Sequence, residues 1–168
     1  MRSLLEDAFA HHSWATLRLM DTCLELSPDQ LESAVAGTYG SILQTMRHLV
    51  GGDSWYLLLI TGDPAFSIDE DQMSLSELRA AMETDAAAWS ALLAQDLDPD
   101  TVVNDKDEFG YERDATIGIR LAQALHHGTD HRSQICTGLT MLGVEPPVID
   151  VWDFGLHSGG VVEVPPTT

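Results

Sequence analysis

The chain has 168 residues, 44% of them apolar, which is enough for one domain with a substantial core and too few for two comfortable ones. Twenty-seven acids against eight bases leave a net charge of −19, a field that repels phosphate backbones and argues against nucleic acid as a partner. No apolar run approaches the roughly 20 residues that span a bilayer, and the first residues carry acids and histidines where a secretory signal would be apolar. A cytoplasmic protein with no membrane partner is expected. The two cysteines, Cys23 and Cys136, form no C-x-x-C pair. They read as small buried hydrophobes, with no disulfide expected in a reducing compartment.

In chain order, residues 3–25 place Leu4, Leu5, Ala8, Phe9, His12, Ala15, Leu19 and Cys23 at helical spacing. Ser27-Pro28 breaks that helix, and Ser27 can cap a short turn through Leu31. Residues 39–61 predict a second long helix, with Ser41 and Gln44 in capping-box spacing and Ile42, Met46, Leu49, Val50, Tyr56, Leu57 and Ile60 on its buried face. Gly51-Gly52 weakens its middle by roughly 1 kcal/mol per glycine relative to alanine, and such small residues permit close approach of another helix. Residues 74–96 predict a third, opened by the capping box Ser74-x-x-Glu77. Residues 97–115 read as a short hairpin or ordered loop around a charged tip, 104–108. Residues 116–142 predict the longest helix, capped by Thr116 or Asp114, ended by Gly143 and barred from continuing by Pro146-Pro147. Asp150 caps a last short helix near Val151–Leu156. The expected fold is all-α: an antiparallel four-helix bundle with a long connection between its third and fourth long helices and a short C-terminal helix. One domain over residues 1–158 and a flexible tail over 159–168 are expected.

Seven histidines are many for this length. His127 and His131 stand at i and i+4, about 40° apart around the axis and about 6 Å along it, so both imidazoles point the same way. Two such rings can each place a nitrogen about 2.0–2.1 Å from one metal ion. A third ligand must come from a facing helix. His48 is the best candidate, because it lies mid-helix among Met46, Leu49 and Val50. His11, His12, His126 and His157 compete for the place. His11 and His12 lie close to the N-terminus, His126 is turned about 100° from His127, and His157 lies near the chain end. The bland alternative is a set of core or boundary histidines, each with one satisfied hydrogen bond.

The segment 125–135, Leu-His-His-Gly-Thr-Asp-His-Arg-Ser-Gln-Ile, resembles the His-Gly-Thr-His-His-Arg-Gly-Gln-Ile pattern of the DinB/YfiT-like family of metal-binding bundles. The segment 41–49 is similar to that family's Ser-Ile-x-x-Thr-x-x-His-Leu. Leu142-Gly143 through Asp150, and Trp14 near the start, also fit. The match spans about residues 5–157. Asp130 departs from a usual histidine and Ser133 from a usual glycine. The resemblance implies a metal triad on His48, His127 and His131, with Asp130 as an extra or supporting ligand or a solvated surface acid.

Three neutral histidines leave a divalent ion (Zn, Ni or Fe) with an open position, the layout of a catalytic site. The resemblance implies a metal-dependent thiol S-transferase acting with a low-molecular-weight thiol such as bacillithiol or mycothiol, a small-molecule ligand and a homodimer. The alternatives are a non-catalytic metal-binding or stress-associated bundle protein, and a metal-dependent hydrolase with Asp53 or Asp130 as base. Arg47, Arg120 and Arg132 neighbour the site in sequence and read as surface ion-pair partners or cofactor contacts. Gln134 and Asp130 could orient a ligand imidazole, and Trp14 and Trp152 could wall a pocket or belong to the core.

Overall fold

A computed structural model describes residues 4–106 and 109–166. Four long helices dominate it: α1 (Leu4–Cys23), α3 (Ile42–Thr61), α4 (Leu75–Leu93) and α5 (Ile117–Met141), with short α2 (Pro28–Leu31) and α6 (Val151–Ser158). They pack as a bundle in which α1 touches α4 and α5, and α3 touches the same two. The fold is mostly helical but not all-α, because β1 (Val102–Lys106) and β2 (Glu112–Thr116) form an antiparallel hairpin in the connection before α5.

Local chemistry sets the starts. Ser27, Ser41 and Ser74 each accept from the backbone of the third helical residue, whose Gln or Glu side chain reaches back, so all three capping boxes form. Thr116 caps α5, Asp150 caps α6, and Gly143 adopts the left-handed conformation just past α5. Two ends differ from expectation by three residues, the others by less. The Ser41 cap starts α3 at Ile42, leaving Tyr39 and Gly40 outside it, and α4 stops at Leu93. Asn104, Asp105 and Lys106 also belong to β1 rather than to a charged tip, paired with Asp114, Arg113 and Glu112; Asp107 and Glu108 lie outside the described residues. Asp105 is buried and takes Arg120 Nη1 at 3.1 Å, while Arg120 Nη2 donates to the Val103 carbonyl. That pairing fastens to α5 a hairpin that would be marginal alone.

The core is divided. One apolar cluster gathers Leu19, Met46, Leu49, Val50, Met82, Ile135 and Leu139; the other gathers Phe9, Leu57, Trp89, Leu92, Leu121 and Ala124. Between them each long helix interrupts its apolar stripe with a buried polar residue: His12 on α1, Asp53 and Ser54 on α3, Asp85 on α4 and Arg132 on α5. These groups are bonded to one another, as buried polar groups must be. Ser54 Oγ donates to Asp85 Oδ2 at 2.7 Å, His12 Nε2 donates to Asp53 Oδ2 at 2.8 Å, and Arg132 Nη1 donates to His12 Nδ1 at 2.9 Å.

Burial pushes the Asp85 carboxyl up to about 7; the Ser54 hydroxyl opposes the shift and the Asp53 charge adds to it. The folded state therefore keeps this proton to higher pH than the unfolded chain does. Its contribution to stability is greatest below the ordinary carboxylate range and declines as pH rises from about 4 to about 7. Asp85→Asn, which keeps an acceptor for Ser54, should gain stability over wild type across that window and hold the gain above it. Urea denaturation at pH 4, 6 and 8 measures this, and a difference that does not change with pH would contradict a protonated Asp85.

Candidate metal centre

Packing of α3 against α5 decides which histidines meet. His48 comes from α3; His127 and His131 come from successive turns of α5. One ligand atom from each lies within 4.8 Å of the others, so the three could hold a metal ion. The rings meet edge to face, with centroids 4.8 Å apart for His48–His127, 4.8 Å for His48–His131 and 4.5 Å for His127–His131. His127 Nε2 and His48 Nε2 are 3.2 Å apart. That is about the edge of a coordination tetrahedron with metal–nitrogen bonds of about 2.0–2.1 Å, so the donor set fits a zinc-type ion. His131 Nδ1–H donates to Gln134 Oε1 at 3.1 Å, which leaves Nε2 as the atom that could ligate a metal. Of the two residues expected to orient an imidazole, Gln134 does so; Asp130 is exposed and outside the cluster.

The site also uses residues that spacing did not indicate. Gln134 Oε1 accepts the backbone N–H of Tyr39 at 3.0 Å. The Tyr39 ring then stacks flat on His48, with centroids 4.0 Å apart and planes 7° apart. Glu70, in a single 3₁₀ turn (Glu70–Gln72), lays its side chain against the bare backbone of Gly51. A cavity of about 410 Å³ opens beside the triad, lined by His48, His127, Trp55, Tyr56, Phe66 and Glu70 among others. No sequence signal marks Tyr39 or Glu70, because each reaches the site from a loop whose path is set by tertiary packing.

The other expected participants stand elsewhere. His11 donates to the Ile149 carbonyl, His12 is buried against Asp53, and His126 and His157 are exposed. Arg47 donates to the Met73 carbonyl, while Arg120 and Arg132 are buried rather than surface ion-pair partners. Trp14 packs on Phe154 and Trp152 is exposed on α6; the aromatics near the triad are Tyr39, stacked on His48, and Trp55, Tyr56 and Phe66 in the adjoining cavity. Gly128 makes room for His12, not for a metal, since a Cβ there would stand 2.6 Å from His12 Nδ1. Both cysteines are free, and burial pushes the Cys23 thiol up to about 12, so it is no nucleophile at neutral pH.

The fold and this cluster define a helical bundle carrying a three-histidine group suited to a metal ion. The chain belongs to the DinB family, whose model matches residues 1–157. Comparison with curated proteins finds no match.

Gly52 is what lets His127 reach this position: a Cβ there would stand 2.6 Å from His127 Cε1 and 3.0 Å from Nδ1. An imidazole on a helix has little room to retreat. Gly52→Ala should therefore weaken cobalt(II) binding by about tenfold or more, although alanine favours the helix itself by about 1 kcal/mol. Unchanged affinity in a titration would show that the ring does not depend on this contact.

Burial, then the neighbouring His131 and His48, pulls the His127 imidazole down to about 4. His48 is lowered too, by burial and by His131. His127 therefore keeps the neutral form that metal binding requires to well below the ordinary imidazole range. His127 takes up its proton near 6.5 in the unfolded chain and only at about 4 in the folded one, so its contribution to metal-free stability should be lost as pH drops from about 6.5 to about 4. His127→Gln should flatten that slope, as read from denaturation midpoints at each pH; an equally steep slope in the variant would contradict a depressed His127.

Proposed function

We propose that the protein binds one divalent metal ion on His48, His127 and His131 and uses it to activate a thiol for attack on an electrophile, as a metal-dependent S-transferase. The observation that carries this reading is the convergence of three imidazoles beside a cavity that two of them line. When bound, the metal would supply Lewis acidity that eases deprotonation of a thiol or water.

The chain's own residues supply the remainder. Trp55, Phe66 and Ile68 offer an apolar wall for a substrate body. Glu70 lines the cavity together with His48, where its carboxylate can accept the S–H proton as the new C–S bond forms and the leaving group departs. Among the described residues no Lys or Arg lines this cavity. It therefore suits a thiol with an apolar or neutral body better than one bearing several carboxylates.

Metal-assisted hydrolysis is the second reading, and Glu70 is the observation that favours it: an acid at the mouth of the same cavity could equally deprotonate water. Asp53 and Asp130 do not fill that role, the first being fully buried on His12 and the second exposed outside the cluster. A non-catalytic metal store would have no use for the adjoining cavity.

Elemental mass spectrometry on untagged protein should find about one metal per chain in wild type and none in His127→Ala. In the cobalt(II) form, added thiols should shift the visible spectrum. Glu70→Gln should keep the metal and the spectral shift but lose turnover of an electrophile panel by about 10²-fold or more. Full metal retention in His127→Ala would overturn the site. A cobalt spectrum indifferent to every thiol, with ester or amide turnover present, would establish hydrolysis instead.

A further inference from the structure

The buried polar layer includes two atoms that nothing so far accounts for. Asp53 Oδ1 and His127 Nδ1 are both buried, and neither has a hydrogen-bond partner among the described residues. They are complementary, since a carboxylate oxygen only accepts and an imidazole Nδ1 can donate. They are also neighbours. Gly52, adjacent in sequence to Asp53, touches the His127 ring, and the Asp53 charge acts on that imidazole.

The hydrogen bonds beneath them fix which way each group must face. The Arg132 guanidinium has no lone pair to offer, so its bond to His12 Nδ1 makes that nitrogen the acceptor. The His12 proton then sits on Nε2 and is donated to Asp53 Oδ2. Arg132 is held in place by further bonds from Nη1 to Thr16 Oγ1 and from Nη2 to Thr129 Oγ1. One carboxylate oxygen is thus committed to His12 and the other is left over.

We propose that Asp53 is a positioning residue for the metal centre, its Oδ1 accepting from His127 Nδ1–H through one bridging water and so turning His127 Nε2 toward His48. The inference rests on the His48–His127–His131 site proposed above. It accounts for a costly feature of the fold. A buried Arg–His–Asp chain is seldom a better source of stability than apolar residues of the same volume, whereas a metal-ligating histidine nearly always has its other nitrogen held by a carboxylate or carbonyl. It also explains why a carboxylate stands there: two imidazole N–H groups need two acceptor oxygens, and asparagine has one.

The test uses full-length protein. In metal-free, ¹⁵N-labelled wild type, long-range ¹H–¹⁵N spectra should show His127 as the Nδ1–H tautomer with an exchange-protected proton. Asp53→Asn should remove that protection and weaken zinc affinity by about 10- to 100-fold at unchanged one-to-one stoichiometry. Leu92→Ala, a core change on α4 outside the histidine cluster, should leave affinity unchanged. An Nε2–H tautomer in wild type, or wild-type affinity in Asp53→Asn, overturns the proposal. Should Asp53→Asn fail to fold, the wild-type tautomer decides alone. Should wild type take up no metal at all, the metal-site reading fails, while the tautomer still tests the Asp53–His127 link.

Discussion

The hydrogen-bond chain Arg132–His12–Asp53 is the constraint around which the bundle is arranged. It joins α5, α1 and α3 at one level, between two apolar clusters that would otherwise merge. Apolar side chains tolerate sliding past one another, because dispersion and burial are nearly non-directional. A guanidinium, an imidazole and a carboxylate within hydrogen-bonding distance do not, because any slip leaves a charge or donor unsatisfied in a medium of low dielectric. The layer therefore sets the axial register of the three helices.

That register is what a metal centre drawn from two helices requires. His48 lies about one turn before Asp53 on α3, and His131 lies beside Arg132 on α5. Holding Asp53 and Arg132 at a common level brings the neighbouring histidines to a common level on the adjacent face. Gly52 and Gly128 complete the arrangement from opposite sides, one admitting the His127 ring against α3 and the other admitting the His12 ring against α5. The same glycines weaken their helices, and the tertiary contacts they allow offset that cost.

The balance of charge follows from the same organisation. Of eight bases, Arg120 and Arg132 are buried and Arg47 is spent on the Met73 carbonyl. The cavity beside the triad is left with Glu70 and aromatic groups rather than cations. An acid near an open metal position suits proton transfer, while the lack of a basic wall disfavours ligands carrying several negative charges.

Much of this was readable from residue spacing. Helical periodicity is local, so the four long helices, the serine capping boxes and the His127–His131 pair could be placed without knowing what lies across from them. His48 was identifiable only because a mid-helix histidine among apolar residues stands out and because the segment around it resembles the family's. The hairpin strands were readable only as one of two outcomes, since their pairing depends on Arg120 fastening them to α5. Arg132 read as a surface ion-pair partner or cofactor contact and Asp53 as a possible base, because a sequence of helices does not say that two opposite charges and an imidazole will face one another across the core. Tyr39 and Glu70 reach the triad from loops, and loop paths follow packing rather than periodicity. The sequence alone thus determined which segments are helical and which faces they bury, since hydrogen bonding and side-chain spacing along one helix are near-neighbour effects. Tertiary structure decided which polar groups meet, since that depends on the register between helices distant in the chain.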